Sequence, residues 1–305
     1  MTSHVLASPA ARSLDIGSAR HDSNLLEIDA AEFRANFNRS AFLFRHHLKG
    51  HPLLDLGRLI KLAASLPEQH VEYNAGDLPV SIDYYSTPRT GLSAEETIRR
   101  IEDCCSWMVL KRVEDDPDYR RLLDDCLDEV QPLSDLLEPG MYERAGSIFV
   151  SSPGAVTPYH MDHEINFLLQ VRGSKTIHTF DRWDRSVLSE QALERYFCGT
   201  TIDRNMELSD KTERKAKIFE LGADNGLHIP TTSPHFVRNG NAVSISMSVA
   251  FQTRETDRCR SVRNFNAALR RLSLDPVPYG RSHLRDTVKC YSFRALRQAG
   301  ILRDR

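Results

Sequence analysis

Two stretches of this sequence place metal-ligating side chains where they could do chemistry together. The first runs Gly154-Ala-Val-Thr-Pro-Tyr-His160-Met-Asp162-His-Glu-Ile-Asn166 and continues to Gly173. On a strand, side chains two apart share a face, so His160 and Asp162 are expected to converge on one ion. The second, Pro230-Thr-Thr-Ser-Pro-His235-Phe-Val-Arg-Asn239, supplies another imidazole. Two histidines and one carboxylate at one edge of an ion leave three coordination positions open, the arrangement used by non-haem Fe(II) oxygenases. The open positions matter because a cosubstrate and dioxygen must reach the same ion. A lone His-x-Asp is common, and its bland reading is a surface turn or a hydrogen-bonded core pair. Two such half-motifs in order, each on a strand-like segment, are hard to explain as structure alone.

The elements that must position these residues are legible in outline. Ala41–Leu48 reads as a short strand, and Leu53–Leu66 has leucines at helical spacing up to Pro67. Ser93-Ala-Glu-Glu96 is a capping box that opens a helix through about Cys105. Trp107–Leu110 is a strand candidate, and Asp116-Pro117 places an N-cap and a first-turn proline before a helix to about Val130. From Gly146 the texture changes to short apolar runs separated by Gly, Pro and Asn, which predicts a sandwich or barrel. Leu188–Phe219 is a charged, helix-like insertion, and after Phe251 an arginine-rich helical segment begins. The predicted organisation is a flexible tail over 1–24, α/β elements over 25–145, a β-barrel over 146–253 with its insertion at about 188–219, and a basic helical extension over 254–305.

Composition bounds the partners. The chain has 305 residues, 40% of them apolar, and a formal charge of −2. That length buries a sizeable core, and the near-neutral balance gives no reason to expect nucleic acid as a partner. The six cysteines contain no Cys-x-x-Cys pair and read as reduced thiols, with adjacent Cys104 and Cys105 as a weak redox candidate. The first two dozen residues lack the apolar core of a secretory signal, and no run reaches the ~18 apolar residues of a membrane helix. A soluble, cytoplasmic protein is expected, with no membrane partner.

The spacing Gly154–His160–Asp162–Asn166–Gly173 resembles the first cupin motif, with Asp in place of a histidine and Asn in place of the glutamate. Pro230–His235–Asn239 resembles the second, with Thr232 where glycine is usual. Residues 146–251 are similar to the JmjC-type 2-oxoglutarate oxygenases, particularly the cupin-like branch that contains an asparaginyl hydroxylase. The match lies in TPYHMDHEINFLLQVRGSK and IPTTSPHFVRNG and covers about a third of the chain. The resemblance implies a mainly β fold, a double-stranded β-helix (cupin/JmjC jelly roll) with N-terminal α/β elements and a C-terminal helical extension. It implies Fe(II) on His160, Asp162 and His235, and 2-oxoglutarate with dioxygen as cosubstrates. Lys175 would pair with the distal carboxylate of 2-oxoglutarate, Thr157 would hydrogen-bond it, and Asn166 would sit near its metal-binding end. Ser248 falls where the asparaginyl hydroxylase has an asparagine near the cosubstrate, a departure from the pattern. The implied reaction is oxidative decarboxylation of 2-oxoglutarate to succinate and CO2, coupled to hydroxylation of a C–H bond in a small molecule, amino acid or peptide.

Weaker candidates surround this set. Lys175 read alone is a solvated strand-end lysine, although a carboxylate inside a barrel needs a cation. Arg172 and Arg238 are the alternative cations. Ser244, Ser246 and Ser248 alternate with Val243, Ile245, Met247, Val249 and Phe251, so one face is small and polar: a pocket wall or an exposed sheet face. Asn74, Tyr84 and Tyr142 could touch substrate, and His163, His178 and His228 could support a ligand or be ordinary packed histidines. Arg254–Arg305 carries thirteen Lys/Arg against five Asp/Glu. Its leucines and aromatics (Phe265, Leu269, Leu272, Tyr291, Phe293, Leu296) favour packing on the barrel or a second subunit, a homodimer, over docking of an acidic partner. Two other classes remain open: a metal cupin without 2-oxoglutarate (a dioxygenase, isomerase or lyase), and a non-catalytic binding or regulatory protein. Demethylation of a methylated lysine is a variant within the favoured oxygenase class, but no histone-reading module or zinc-ligand cluster accompanies this barrel.

Overall fold

The computed structural model describes residues 24–82, 87–198 and 206–302. The tail expected over 1–24 lies outside these except for Asn24, and Tyr84 lies outside them as well. The N-terminal part runs β1 (Leu26–Glu27), α1 (Ala30–Asn36), β2 (Phe42–His46), α2 (Leu56–Ser65), β3 (Val71–Ala75), α3 (Ala94–Arg99), β4 (Ser106–Lys111) and α4 (Pro117–Ser134). Polar caps set where its helices begin. Asp29, Asp55, Ser93 and Asp116 each accept a first-turn backbone N–H, and the Ser93–Glu96 box forms as expected.

Two helix ends differ from the sequence reading. α3 stops at Arg99 with Arg100 as its C-cap, and Cys105, at φ +46°, redirects the chain into β4. α4 runs past Val130 to Ser134 with Pro132 inside its last turn, where the missing N–H removes one helical bond.

Eight strands follow: β5 (Tyr142–Ser151), β6 (Val156–His160), β7 (Ile165–Arg172), β8 (Lys175–Thr179), β9 (Lys217–Leu221), β10 (Asn225–Ile229), β11 (His235–Asn239) and β12 (Ser244–Gln252). The β-texture thus begins at Tyr142, a little before Gly146. The insertion between β8 and β9 carries α5 (Glu190–Cys198) and α6 (Asp210–Glu213), but its last residues form β9 instead of helix. The strands make two antiparallel sheets, one ordered β1-β2-β10-β7-β12-β5-β4-β3 and one ordered β6-β11-β8-β9. From β5 to β12 the chain passes repeatedly between them, which places β5, β7, β10 and β12 in the large sheet and β6, β8, β9 and β11 in the small one.

Each face of the large sheet has its own core. On one side Ile245, Met247, Val249 and Phe251 of β12 join Phe167 and Leu169 of β7, under Phe33 of α1, Leu59 of α2 and Leu123 of α4. On the other side Leu168, Leu227 and Ile229 meet Ile177, Phe219 and Val237 of the small sheet, so the two sheets face each other. Ser244, Ser246 and Ser248 are buried and alternate with the first set. The polar row therefore lines the space between the sheets, and the reading as an exposed sheet face does not hold. At the turn into β8, Gly173 has φ +72°, and a Cβ there would lie 2.4 Å from the Val243 carbonyl oxygen. Only glycine turns so tightly against β12, and this turn sets the register that brings Lys175 inward.

α7 (Arg254–Arg271) and α8 (His283–Gln298) complete the chain, packed against each other, with α7 also against α5. Phe293 is buried as expected, whereas Leu272, at the C-cap of α7, and Tyr291, on the outer face of α8, are exposed. Leu284, Val288 and Tyr291 make an outward apolar stripe on the side of α8 opposite Phe293. Among the described residues no helix is long and apolar enough to cross a membrane.

Candidate metal centre and cosubstrate cavity

The site begins with a strand pairing. β6 and β11 run antiparallel with His160 opposite His235, and the imidazole centroids lie 4.2 Å apart. Between His235 and Val237 the register slips, because β6 spends one more residue than β11 in reaching Thr157. The extra residue falls at Pro158–Tyr159, where proline has no N–H to offer a ladder. This bulge lets Thr157 and His160, three apart, both line the interior, while Tyr159 packs outward on Phe180 and Phe236.

Asp162 arrives differently from the sequence expectation. β6 ends at His160, so a shared strand face does not hold the carboxylate in place. The loop 230–234 does so instead. Thr232 N–H donates to the Asp162 carbonyl (2.6 Å), and Thr231 Oγ1 donates to the His163 carbonyl (2.8 Å). Thr232 is fully buried at φ +57°, the left-handed region that glycine normally occupies. The substitution of Thr for the usual glycine thus leaves the backbone turn intact and places a β-branched residue in a costly conformation. Buried Arg182 braces the same loop, donating to the Thr231 carbonyl (2.7 Å) and to Asn38 Oδ1 (3.0 Å).

In the resulting cluster Asp162 Oδ2 lies 3.7 Å from His160 Nε2 and 3.8 Å from His235 Nε2, and the three donor atoms fall within 4.8 Å of one another. His160 Nδ1 contacts the Pro158 carbonyl at 2.6 Å, and His235 Nδ1 contacts the Ser233 carbonyl at 3.0 Å. A carbonyl can only accept, so each Nδ1 carries a proton, and each Nε2 is the nitrogen that faces the carboxylate and would ligate an ion. Bonds from a divalent first-row ion to nitrogen and oxygen are about 2.0–2.2 Å, so donors this close can share one ion. A mixed nitrogen and carboxylate set with both imidazoles oriented by backbone fits such an ion.

A cavity of 580 Å³ opens on the cluster, bounded by His160, Asp162, Thr157, Asn166, Ser248 and Asn74, among others. Ser248 Oγ donates to Asn166 Oδ1 (2.8 Å), and Thr157 Oγ1 accepts the Trp107 indole N–H (2.8 Å), which leaves the threonine hydroxyl proton unspent. Neither Trp107 nor the Thr231–Thr232 stitch was picked out from the sequence. A half-buried indole needs an acceptor, but nothing in its spacing says which.

Lys175 lies further in. It is fully buried, and its ammonium donates to Ser246 Oγ (2.8 Å), one step along β12 from cavity-lining Ser248. Burial alone pushes its pKa down, to about 7, with no carboxylate to oppose the shift. Arg172 and Arg238, the alternative cations, are both exposed.

The secondary histidines separate cleanly. His228 is a packed core residue on the helix side, stacked among Phe37, Phe42 and Phe167. Its Nδ1 donates to the Asn166 carbonyl (3.1 Å) and its Nε2 accepts from Asn38 N–H (2.9 Å), while burial depresses its pKa to about 3. His178 stacks on Phe236, and half-exposed His163 lines the cavity beside Glu164. Tyr142 does not line the cavity. Cys104 is half-buried with its thiol pKa raised by burial, Cys105 is exposed, and the two are not bonded.

No family model matches the sequence. No curated protein matches it either. Among solved structures, an X-ray structure of Escherichia coli ycfD is similar at 14% identity and TM-score 0.49, covering 88% of this chain and 67% of that one. A structure of YcfD described as a ribosomal oxygenase, in complex with cobalt and 2-oxoglutarate, is similar at 15% identity and TM-score 0.47, covering 90% and 69%. An oxalate decarboxylase from Lactobacillus farciminis is similar over 36% of this chain and 24% of that one, at 14% identity and TM-score 0.24. At such distances the residues of the site, and not the likeness, decide what the chain can do.

The buried ammonium makes a prediction about the ligand-free protein. An unfolded lysine titrates near ~10.4, well above about 7 in the folded chain. Between those values the unfolded chain holds the extra proton, so the destabilisation is full below pH 7 and fades as pH rises towards ~10. Lys175→Met is therefore expected to raise stability at pH 7 by roughly 2–4 kcal/mol. The gain should shrink as the pH approaches 10. Urea unfolding of both proteins at the two pH values measures this, and a variant no more stable at pH 7 would contradict an uncompensated buried charge.

Proposed function

We propose that the protein is an Fe(II)- and 2-oxoglutarate-dependent oxygenase that hydroxylates a C–H bond of a small molecule, amino acid or peptide. The observation that carries the reading is the combination, in one interior, of a two-histidine, one-carboxylate cluster with a buried cation that has no anion of its own. The strand order supports a double-stranded β-helix, with β5–β12 as its eight strands. On this reading 146–253 is the catalytic unit, the elements of 25–145 buttress it, and 254–305 is an extension packed beside it.

His160, Asp162 and His235 would hold the iron, which supplies a site for activating dioxygen against the cosubstrate and has positions left over for both. The chain's own residues do the rest. Lys175 would receive the distal carboxylate of 2-oxoglutarate, with Thr157 donating its free hydroxyl proton to the same group. An anion arriving there draws a proton onto the Lys175 amine, so cosubstrate affinity should fall as pH rises above 7. Asn166 and Ser248, locked to each other, would flank the cosubstrate's metal-binding end. The enclosed polar row between the sheets keeps bulk water away from the charged pair, which strengthens it. A cupin enzyme without 2-oxoglutarate would leave Lys175 unexplained. All six cysteines are free, which fits a reducing compartment such as the cytoplasm.

Alanine at His160, Asp162 or His235 is expected to reduce bound iron at least tenfold with circular dichroism unchanged, since each ligand is held by its neighbours' backbone. Wild-type protein with iron should convert 2-oxoglutarate to succinate, and the three variants should not. Full iron occupancy in all three variants would sink the assignment.

The apolar stripe of Leu284, Val288 and Tyr291 supports a homodimer formed through the C-terminal extension. Val288→Glu is expected to leave the fold intact and to halve the mass seen by light scattering. A wild-type protein that is already monomeric would refute the dimer.

A further inference from the structure

α7 does more than pack. It starts where β12 ends, with a capping box between Thr253 and Thr256 that fixes its first turn on the strand carrying Ser248. One turn apart on its inner face stand Arg260 and Asn264, and both line the cavity that opens on the His160–Asp162–His235 cluster. The sequence reading treated this helix as part of an extension and assigned neither residue.

Among the described residues that line the cavity, the charges are spent with one exception. Lys111 is paired with Glu72, and Arg112 makes a two-point contact with Asp115 at 3.3 Å on both nitrogens. His163 contacts Glu164 at 3.3 Å, and Asp162 faces two imidazoles. On the same helix Arg258 bonds Glu255 and the His283 carbonyl, and Arg270 bonds Glu194 and Asp275. Arg263, which does not line the cavity, is buried over the rings of Phe197 and Tyr279 with its Nε and Nη1 unbonded. Half-buried Arg260 has no ion pair and no hydrogen bond among the described residues. Its neighbour Asn264 accepts the Cys198 thiol at Oδ1 (2.8 Å), which orients the amide and leaves its Nδ2 donors unspent. A guanidinium drawn partly out of water, with an amide donor beside it and no acceptor, matches a carboxylate or phosphate oxygen pair. The nearby walls are apolar and aromatic: Leu78, Trp107, Val109, Phe149 and Phe197.

We propose that the substrate is an organic acid with an apolar or aromatic body, whose anionic group is held by Arg260 and Asn264. This names the substrate class of the oxygenase site and rests on that reading. Lys175 and Arg260 then divide two anions between them, the cosubstrate's inside the barrel and the substrate's at the α7 wall.

The test uses iron-loaded, full-length protein under anaerobic conditions, saturated with 2-oxoglutarate so that Lys175 is occupied. Calorimetry compares 3-phenylpropionate, its primary amide and 2-phenylethyl phosphate as probes. The wild type is expected to bind at least one of the anions tenfold or more tighter than the neutral amide, and the tighter of the two identifies the anion. In Arg260→Gln that preference should vanish while affinity for the amide and for 2-oxoglutarate stays as in wild type. Arg260→Lys, which keeps the charge but not the fork, should restore part of it, a result that a merely structural role would not give. Equal binding of acid and amide by the wild type, no binding of either anion, or a preference that survives Arg260→Gln overturns the proposal. Loss of 2-oxoglutarate affinity in Arg260→Gln overturns it too, because the arginine would then serve the cosubstrate. If 2-oxoglutarate never binds the wild type but an Arg260-dependent preference is present, the oxygenase reading fails and the anion site stands.

Discussion

The pairing of β6 with β11 is the contact on which the centre depends. It sets His160 opposite His235, residues far apart in sequence, and its bulge turns Thr157 into the same interior. The third donor is then fixed through the backbone that carries it. Asp162 lies past the end of its strand, and loop 230–234 ties it down by two hydrogen bonds to the carbonyls of residues 162 and 163. Both imidazoles are oriented by main-chain carbonyls already committed to them.

The second constraint is electrostatic. Alternation along β8 sends Lys175 inward with Ile177 and Thr179, and the Gly173 turn fixes that choice. The result is an ammonium whose hydrogen-bond partner is a serine hydroxyl and whose charge is unbalanced when no ligand is bound. A fold bears such a cost where function requires it, which is why perturbed groups gather at binding sites. On the proposed function, an arriving carboxylate would turn the same group from a liability into a strong contact. The stability of the empty protein and its affinity for an anion are thus opposite sides of one burial.

How much of this was legible in the sequence depended on whether a residue's job is local. His160, Asp162 and His235 stood out because metal ligation restricts residue type and the strand pattern restricts spacing. The serine row on β12 announced a polar face, though only the second sheet packed over it shows that the face is enclosed. Thr232 stood out as a departure from glycine, and its left-handed backbone explains why the position is special. Asp162 was expected in the right place for an incomplete reason, since a strand end cannot be timed from sequence when a loop far along the chain decides it. Trp107, Arg260 and Asn264 carried no signal: each reaches the cavity through long-range packing, and tryptophan or arginine on an otherwise ordinary strand or helix looks like any other. His228, equally prominent as a residue type, proved to be a neutral core histidine satisfied at both nitrogens.

The most direct measurement is anaerobic titration of the iron-loaded protein with 2-oxoglutarate, followed by the absorption band of the metal-bound 2-oxo acid. Removing one partner of a buried charge pair typically costs about 2–5 kcal/mol. At ~1.4 kcal/mol per tenfold, Lys175→Ala should bind 2-oxoglutarate roughly thirty-fold or more weakly than wild type while retaining its iron. Wild-type protein that holds iron yet develops no band at any concentration of 2-oxoglutarate would contradict the account.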